Sequence, residues 1–271
     1  MPEYIDIHSH LNFDNYDSDR EEVIARLKAE KIATITVGTT VADSRFAIEL
    51  AEKHENLYAT VGIHPTHEWG EAEFAELDKL AGNKKVVAIG ECGLDFFRLP
   101  KGAPVTLIEE NKMRQGQAFA RHVEIALKHN KPLMIHCRNA YEETLSIIKT
   151  FILDHKLGDR LRGDMHFFAG DMTVAKKFLN LGPAKSSFTL SFAGPITFAR
   201  DYDEVLKYAP IDRIMSETDA PFAAPIPFRG RRNEPMYVKE VVKKIAEVRG
   251  EDIEIVKKNL VENAVRVFGL A

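Results

Sequence analysis

Eight short apolar runs, each followed by a helical stretch, predict a single α/β domain over 1–271, folded as a (β/α)8 TIM-type barrel with extra C-terminal helices. The alternation itself is the first observation: strands separated by helices pair in parallel through βαβ units. The second is continuity, since no linker or low-complexity segment breaks the chain. The third is the position of six metal-favouring side chains. His8, His10, Glu91, His136, His166 and Asp219 all stand where an apolar run gives out. A doubly wound open sheet would gather ligands at one switch point in its strand order, whereas a closed barrel brings every strand end to one rim.

The runs are read in order as Tyr4 to His8, Ala33 to Val37, Tyr58 to Gly62 and Val86 to Glu91, then Pro132 to His136, Asp164 to Phe167, Phe188 to Ser191 and Arg213 to Glu217. Apolar residues at helical spacing mark Glu21 to Lys31, Ser44 to His54, Gln115 to His129 and Ala140 to His155 between them. The fourth and fifth runs begin 46 residues apart, at Val86 and Pro132, an interval wider than any other. The excess falls around Asp95 to Lys112, directly after Glu91 and so on the predicted rim. The tail from Met236 to Ala271 reads as two helices split at Gly250-Glu251-Asp252.

Composition narrows the function. A chain that is 45% apolar can bury a large core, and no run approaches the roughly 18 uninterrupted apolar residues of a membrane helix. A net charge of −4 argues against coating nucleic acid through a broad basic face, while leaving room for local contact with phosphate. Two cysteines, Cys92 and Cys137, form no disulfide framework, and the first residues carry no basic segment followed by an apolar one. A reduced, cytoplasmic location is the expectation, with no membrane and no obligate protein partner.

Strand alternation supplies the faces. Asp6, His8 and His10 are expected on one side of the first strand, with Ile5 and Ile7 opposite, under the helices. Glu91 is expected with Ile89 and Val87, His136 with Met134, and both cysteines outward as packing residues. Each candidate alone has an ordinary explanation: a strand exit for His8-Ser9-His10, a turn cap for Glu91, a satisfied core histidine for His136, a turn start for Asp219. Their joint occurrence at the ends of strands one, four, five, six and eight points instead to a metal site. Four imidazoles and two carboxylates suit zinc, manganese or iron better than magnesium alone. Two cations about 3.5–4 Å apart can share a carboxylate. Glu91, on strand four, is the expected bridge.

The stretches Ile5-Asp6-Ile7-His8-Ser9-His10-Leu11, Gly62-Ile63-His64-Pro65 and Ile89-Gly90-Glu91-Cys92-Gly93-Leu94-Asp95 resemble signatures of the TatD-like metal-dependent deoxyribonucleases. Pro132-Leu133-Met134-Ile135-His136-Cys137-Arg138 and Glu217-Thr218-Asp219-Ala220-Pro221 do so too. The resemblance runs in order from about residue 4 to 266, and that family belongs to the amidohydrolase-like barrels. It implies that His8, His10, Glu91 and Asp219 hold one divalent ion (zinc, manganese or magnesium), and that Glu91, His136 and His166 hold a second. It also implies hydrolysis of DNA phosphodiesters, with water activated between the metals and Asp219 accepting its proton. Two stretches depart from the family pattern: His166-Phe167-Phe168-Ala169-Gly170, and the arginine-rich segment between Pro221 and Asn233.

Lesser candidates surround these. His64 is placed to contact a substrate phosphate, and Arg138 and Arg232 are the arginines expected to bind it. Asp6 and Glu217 are expected to orient ligand imidazoles. Phe96, Phe97 and Trp69 could stack on bases or simply pack over the barrel mouth. His54, His67, His122, His129 and His155 read as surface residues. Two rival functions stay open: an amidohydrolase acting on a small amide or ester, and a non-catalytic metal-binding protein. A strand-four glutamate, rather than the modified lysine common among amidohydrolases, favours the nuclease.

Overall fold

A computed structural model describes residues 2–154, 160–181 and 188–270; His155 and Ala271 lie outside the described residues. Eight parallel strands form one sheet in sequence order: β1 (Tyr4–Ser9), β2 (Ile32–Thr36), β3 (Leu57–Val61), β4 (Val86–Asp95), β5 (Leu133–Arg138), β6 (Gly163–Met165), β7 (Phe188–Phe192) and β8 (Ile214–Ser216). The ring closes just past the last strand: Ser9 bridges Ala220 in parallel, Asp219 N–H donates to the His8 carbonyl (2.9 Å), and His10 N–H to that of Ala220 (2.7 Å). The helices are α1 (Arg20–Ala29), α2 (Val41–Lys53), α3 (Glu71–Leu80), α4 (Val105–His129), α5 (Tyr141–Asp154), α6 (Met172–Leu179), α7 (Asp203–Tyr208), α8 (Val238–Arg249) and α9 (Ile253–Phe268). One follows each strand, and α9 is the addition.

Two apolar clusters divide the interior. The larger joins the inner faces of α1–α8 to outward strand residues such as Ile32, Leu57, Leu133, Leu190 and Ile214. The smaller joins Ile5, Ile7, Ala33, Ile35, Val87, Met134 and Met215, and its helical members come from α9: Ala264, Val267 and Phe268. This second cluster fills the barrel itself. Asn263 on α9 donates to the carbonyls of Ile211 and Ile214, at the start of β8 (2.7 and 2.9 Å), so α9 stoppers the N-terminal end. The opposite, C-terminal rim is left open for chemistry.

The strand faces correct the simple alternation. Ile5 and Ile7 point into the barrel, and Asp6 points outward: it pairs with Thr34, which pairs with Leu57 of the outer cluster. Between Asp6 and Ser9 the register slips, with Ser9 rather than His8 beside Thr36. One extra residue there inverts the alternation and turns His8 inward. The same device recurs on β4, where the register slips between Ile89 and Cys92. Ile89 and Cys92 therefore both join the outer cluster, and Glu91 faces in. Ile89 does not share its face.

β4 also runs four residues beyond the predicted end at Glu91. Its continuation lies so close to β5 that a side chain at Gly93 would collide with the His136 carbonyl, and one at Gly90 with that of Met134. Both glycines have positive φ (148° at Gly90, 137° at Gly93), open to glycine and strained for other residues. The remainder of the predicted excess becomes a rim loop and the early turns of α4, which begins at Val105 rather than Gln115.

Candidate metal centre

Each ligand candidate is held from behind by its own strand or loop. His8 is fixed through its peptide: the outward Asp6 carboxylate accepts its N–H (3.3 Å) together with the N–H and hydroxyl of Thr218 (2.8 Å each). Asp6 thus laces β1 to the β8 exit and does not touch an imidazole. His10 lies 3.1 Å from the Val37 carbonyl through Nδ1. A carbonyl only accepts, so Nδ1 carries the proton and the Nε2 lone pair faces the centre. Asp219, at the β8 exit, adopts φ 55° and Phe167 φ 47°, left-handed conformations that cost of order 1 kcal/mol and cluster at functional sites.

The two oxygens of Glu91 face different partners. Oε2 lies 3.6 Å from His8 Nε2 and 3.8 Å from His10 Nε2. Asp219 Oδ1 completes that side, 3.7 Å from His8 Nε2 and 3.4 Å from His10 Nε2, and the two imidazole nitrogens are 3.2 Å apart. Oε1 lies 2.9 Å from His136 Nδ1 and 3.1 Å from His166 Nε2. Burial opposes ionisation of Glu91, but the ring of imidazoles holds its carboxyl well below the usual range.

These spacings fit metal ligation. Donors about 2.0–2.1 Å from a tetrahedral cation sit about 3.3 Å from one another. The contacts on the Oε2 side, 3.2 to 3.8 Å, bracket that value. His10 turns the Nε2 lone pair left by its Nδ1–H bond toward the same point as His8 Nε2, Glu91 Oε2 and Asp219 Oδ1, a set of donors grouped as around one cation. Nitrogen and carboxylate donors without sulfur suit a borderline divalent ion.

Supporting residues extend outward. Glu217 Oε1 is 3.5 Å from His166 Nδ1, accepts the Phe167 N–H (2.6 Å), and its other oxygen meets Ser191 Oγ (3.0 Å). Ser191 also lies 2.6 Å from Asp164, and one hydroxyl cannot donate to both carboxylates. Burial pushes Asp164 up to about 7, so its protonated form donates to Ser191, which donates to Glu217.

Asp95 is the functional candidate missing from the sequence reading. Fully buried, it sits 3.2 Å from His136 Nε2, on the far side of that ring from Glu91. Its backbone is clamped by Gln115 of α4 (2.8 and 3.2 Å). With β4 extended past its bulge, Glu91, Gly93 and Asp95 share a face, which is the signal that would have revealed it.

His64 reaches the centre, with Nε2 3.6 Å from Glu91 Oε1. The Thr66 N–H donates to its Nδ1 (3.3 Å), so Nε2 bears the proton, and burial pushes its pKa down to about 3, keeping the ring neutral. Arg138 lines the cleft with its guanidinium 3.7 Å over the Phe97 ring. Arg232 is not brought there. Its fork grips Asp19 (2.6 and 2.7 Å) and contacts Glu234, a brace between α1 and the β8 loop. His122 is buried rather than exposed, whereas His67 is exposed and His54 and His129 are partly so. The open rim forms a cleft of about 480 Å³, walled also by Phe13, Arg98, Tyr202 and Phe222.

The model of the TatD-related DNases matches residues 5–269. The chain belongs to the TatD-related DNase family. Its relatives include an uncharacterised metal-dependent hydrolase of Bacillus subtilis, YabD, 39% identical over 97% of this chain and 98% of its own. A protein of Pantoea ananatis named 3'-5' ssDNA/RNA exonuclease TatD is 32% identical over 98% of this chain and 99% of its own. Among solved structures, the TatD homologue YjjV of Escherichia coli K12 superposes with a TM-score of 0.85 at 24% identity, covering 99% of each chain; at that identity the likeness speaks for the shared barrel.

Proposed function

We propose that this TatD-family member is a two-metal phosphodiesterase acting on DNA. The observation that carries the reading is the division of Glu91: one carboxylate oxygen faces His8, His10 and the Asp219 side, the other His136 and His166. His8, His10, Glu91 and Asp219 would hold one divalent ion, and Glu91, His136 and His166 the other. Such a pair, when bound, supplies acidified water and neutralises charge on the phosphate.

The chain's own groups supply the rest. Asp219 reaches the centre with one oxygen and can take the proton of the attacking water on its carboxylate. His64 presents a neutral Nε2–H to a phosphate oxygen, and Arg138 adds a fixed positive charge at the cleft wall. Asp95 holds the His136 ring so that Nδ1 faces Glu91. A nucleic-acid substrate agrees with the exonuclease name borne by the Pantoea ananatis relative.

The test pairs metal analysis with digestion of end-labelled single- and double-stranded DNA, with bis(p-nitrophenyl) phosphate and an amide substrate alongside. His136→Ala should abolish phosphodiester cleavage while leaving the circular-dichroism spectrum intact. Strong cleavage by that variant with added Mg²⁺ or Mn²⁺ would sink the two-metal assignment, and turnover of the amide alone would favour an amidohydrolase.

A further inference from the structure

Beside the cleft over Glu91 lies a smaller one of about 160 Å³, and Thr66, His67 and Arg98 belong to both. Its walls are the segments 65–69 beyond β3 and 98–100 beyond β4, with Asn111 and Arg114 from the overhanging turns of α4. Trp69, the chain's single tryptophan, lines it half-buried, edge-on to Phe74 (5.3 Å). The Arg114 guanidinium sits 5.6 Å over the indole, donates to the Trp69 carbonyl (3.1 Å) and pairs with Glu68. The Glu68 side chain is 85% exposed, so that ion pair is weak and open to replacement by another anion. Arg98 stands on the divide, its side chain 61% exposed and its Nε 3.7 Å from Asp95.

An indole with one guanidinium over its ring and a second guanidinium lining the same cleft, continuous with the centre over Glu91, offers what a single strand needs: ring surface for a base and arginines for phosphate. A chain of net charge −4 has no general attraction for polyanions, so this local grouping, which Arg138 extends along the larger cleft, sets where a strand would run. A base stacked in a duplex has no free face to offer such a cleft, whereas an unstacked one does.

We infer that the smaller cleft is a nucleotide subsite for single-stranded DNA. It takes the neighbour of the nucleotide whose phosphodiester lies at Glu91, with its base against Trp69 and its phosphate between Arg98 and Arg114. This rests on the nuclease reading above.

The test titrates the metal-loaded, full-length protein with phosphorothioate oligothymidylates of two to eight nucleotides, following Trp69 fluorescence at several salt concentrations. Oligomers of three or more should quench the indole saturably, and the dinucleotide, whose single phosphodiester stays at Glu91 and leaves none for Arg98 and Arg114, should bind and quench far more weakly. Arg114→Glu should weaken binding about tenfold or more and shrink the salt slope by about one phosphate contact. Arg114→Lys should keep the slope, separating lost charge from a damaged fold. Quenching that ignores oligomer length, or Arg114→Glu binding with wild-type affinity and slope, overturns the subsite. If DNA is cleaved under either of those results, the nuclease reading survives and the subsite alone falls. If the protein neither binds nor cleaves any oligonucleotide, both fall together.

Discussion

His122 is fully buried under the β3 exit, accepting the Ile63 N–H on Nε2 (2.9 Å) and donating from Nδ1 to the Ala118 carbonyl (2.7 Å). Both bonds require the neutral ring, and burial pushes its pKa down to about 4 from 6.5. The folded state therefore refuses a proton that the unfolded chain accepts, so its contribution is complete above pH 6.5 and is lost as the pH falls toward 4. The loss is about 1.4 kcal/mol per pH unit, about 3 kcal/mol over that window. The His122 ring resonances should stay at their neutral position from pH 8 to 5.5; titration near 6.5 would contradict this. Sequence spacing placed His122 on a helix and so at the surface, because its partner, a strand-end amide, is distant in the chain. Arg232 makes the same point from the other direction. Its grip on Asp19 predicts that Arg232→Ala lowers unfolding free energy by about 1–2 kcal/mol, while KM for a DNA substrate stays put; a raised KM with unchanged stability would return it to the substrate.

The ligand-bearing strands show what was legible in elements and what was not. Strand order, the barrel and the positions of His8, His136, His166 and Asp219 toward the C-terminal ends of their strands follow from apolar runs, because a strand must bury its middle and free its end. The bulges before His8 and Glu91 leave no such mark: one inserted residue changes faces without changing hydrophobicity. Ile5, Ile7, Asp6 and Ile89 were misassigned for that reason, and Asp95 was hidden because β4 seemed to stop at Glu91. Gly90 and Gly93 are the clue, since they let β4 lie against β5. Gly93→Ala should push the strands apart at His136, lowering stability by more than about 2 kcal/mol and weakening metal binding with it. A variant with unchanged urea midpoint and metal content would show that this approach is not needed.

Across the whole molecule, the packing and the chemistry occupy opposite ends. α9 fills the N-terminal mouth with Val267 and Phe268, and the open C-terminal rim collects groups that destabilise a fold when unpaired: inward carboxylates, clustered imidazole nitrogens and left-handed residues such as Phe167 and Asp219. Divalent ions bound only by the folded state would offset that cost, contributing about 2.7 kcal/mol at a hundredfold excess over Kd. The central claim is that Glu91 joins two such ions, and metal content tests it most directly. Wild-type protein and Glu91→Gln, each loaded with Zn²⁺ or Mn²⁺ and freed of excess, should hold two ions and fewer than one per chain, respectively. A wild-type chain saturating at one ion, or Glu91→Gln retaining two, would contradict the account.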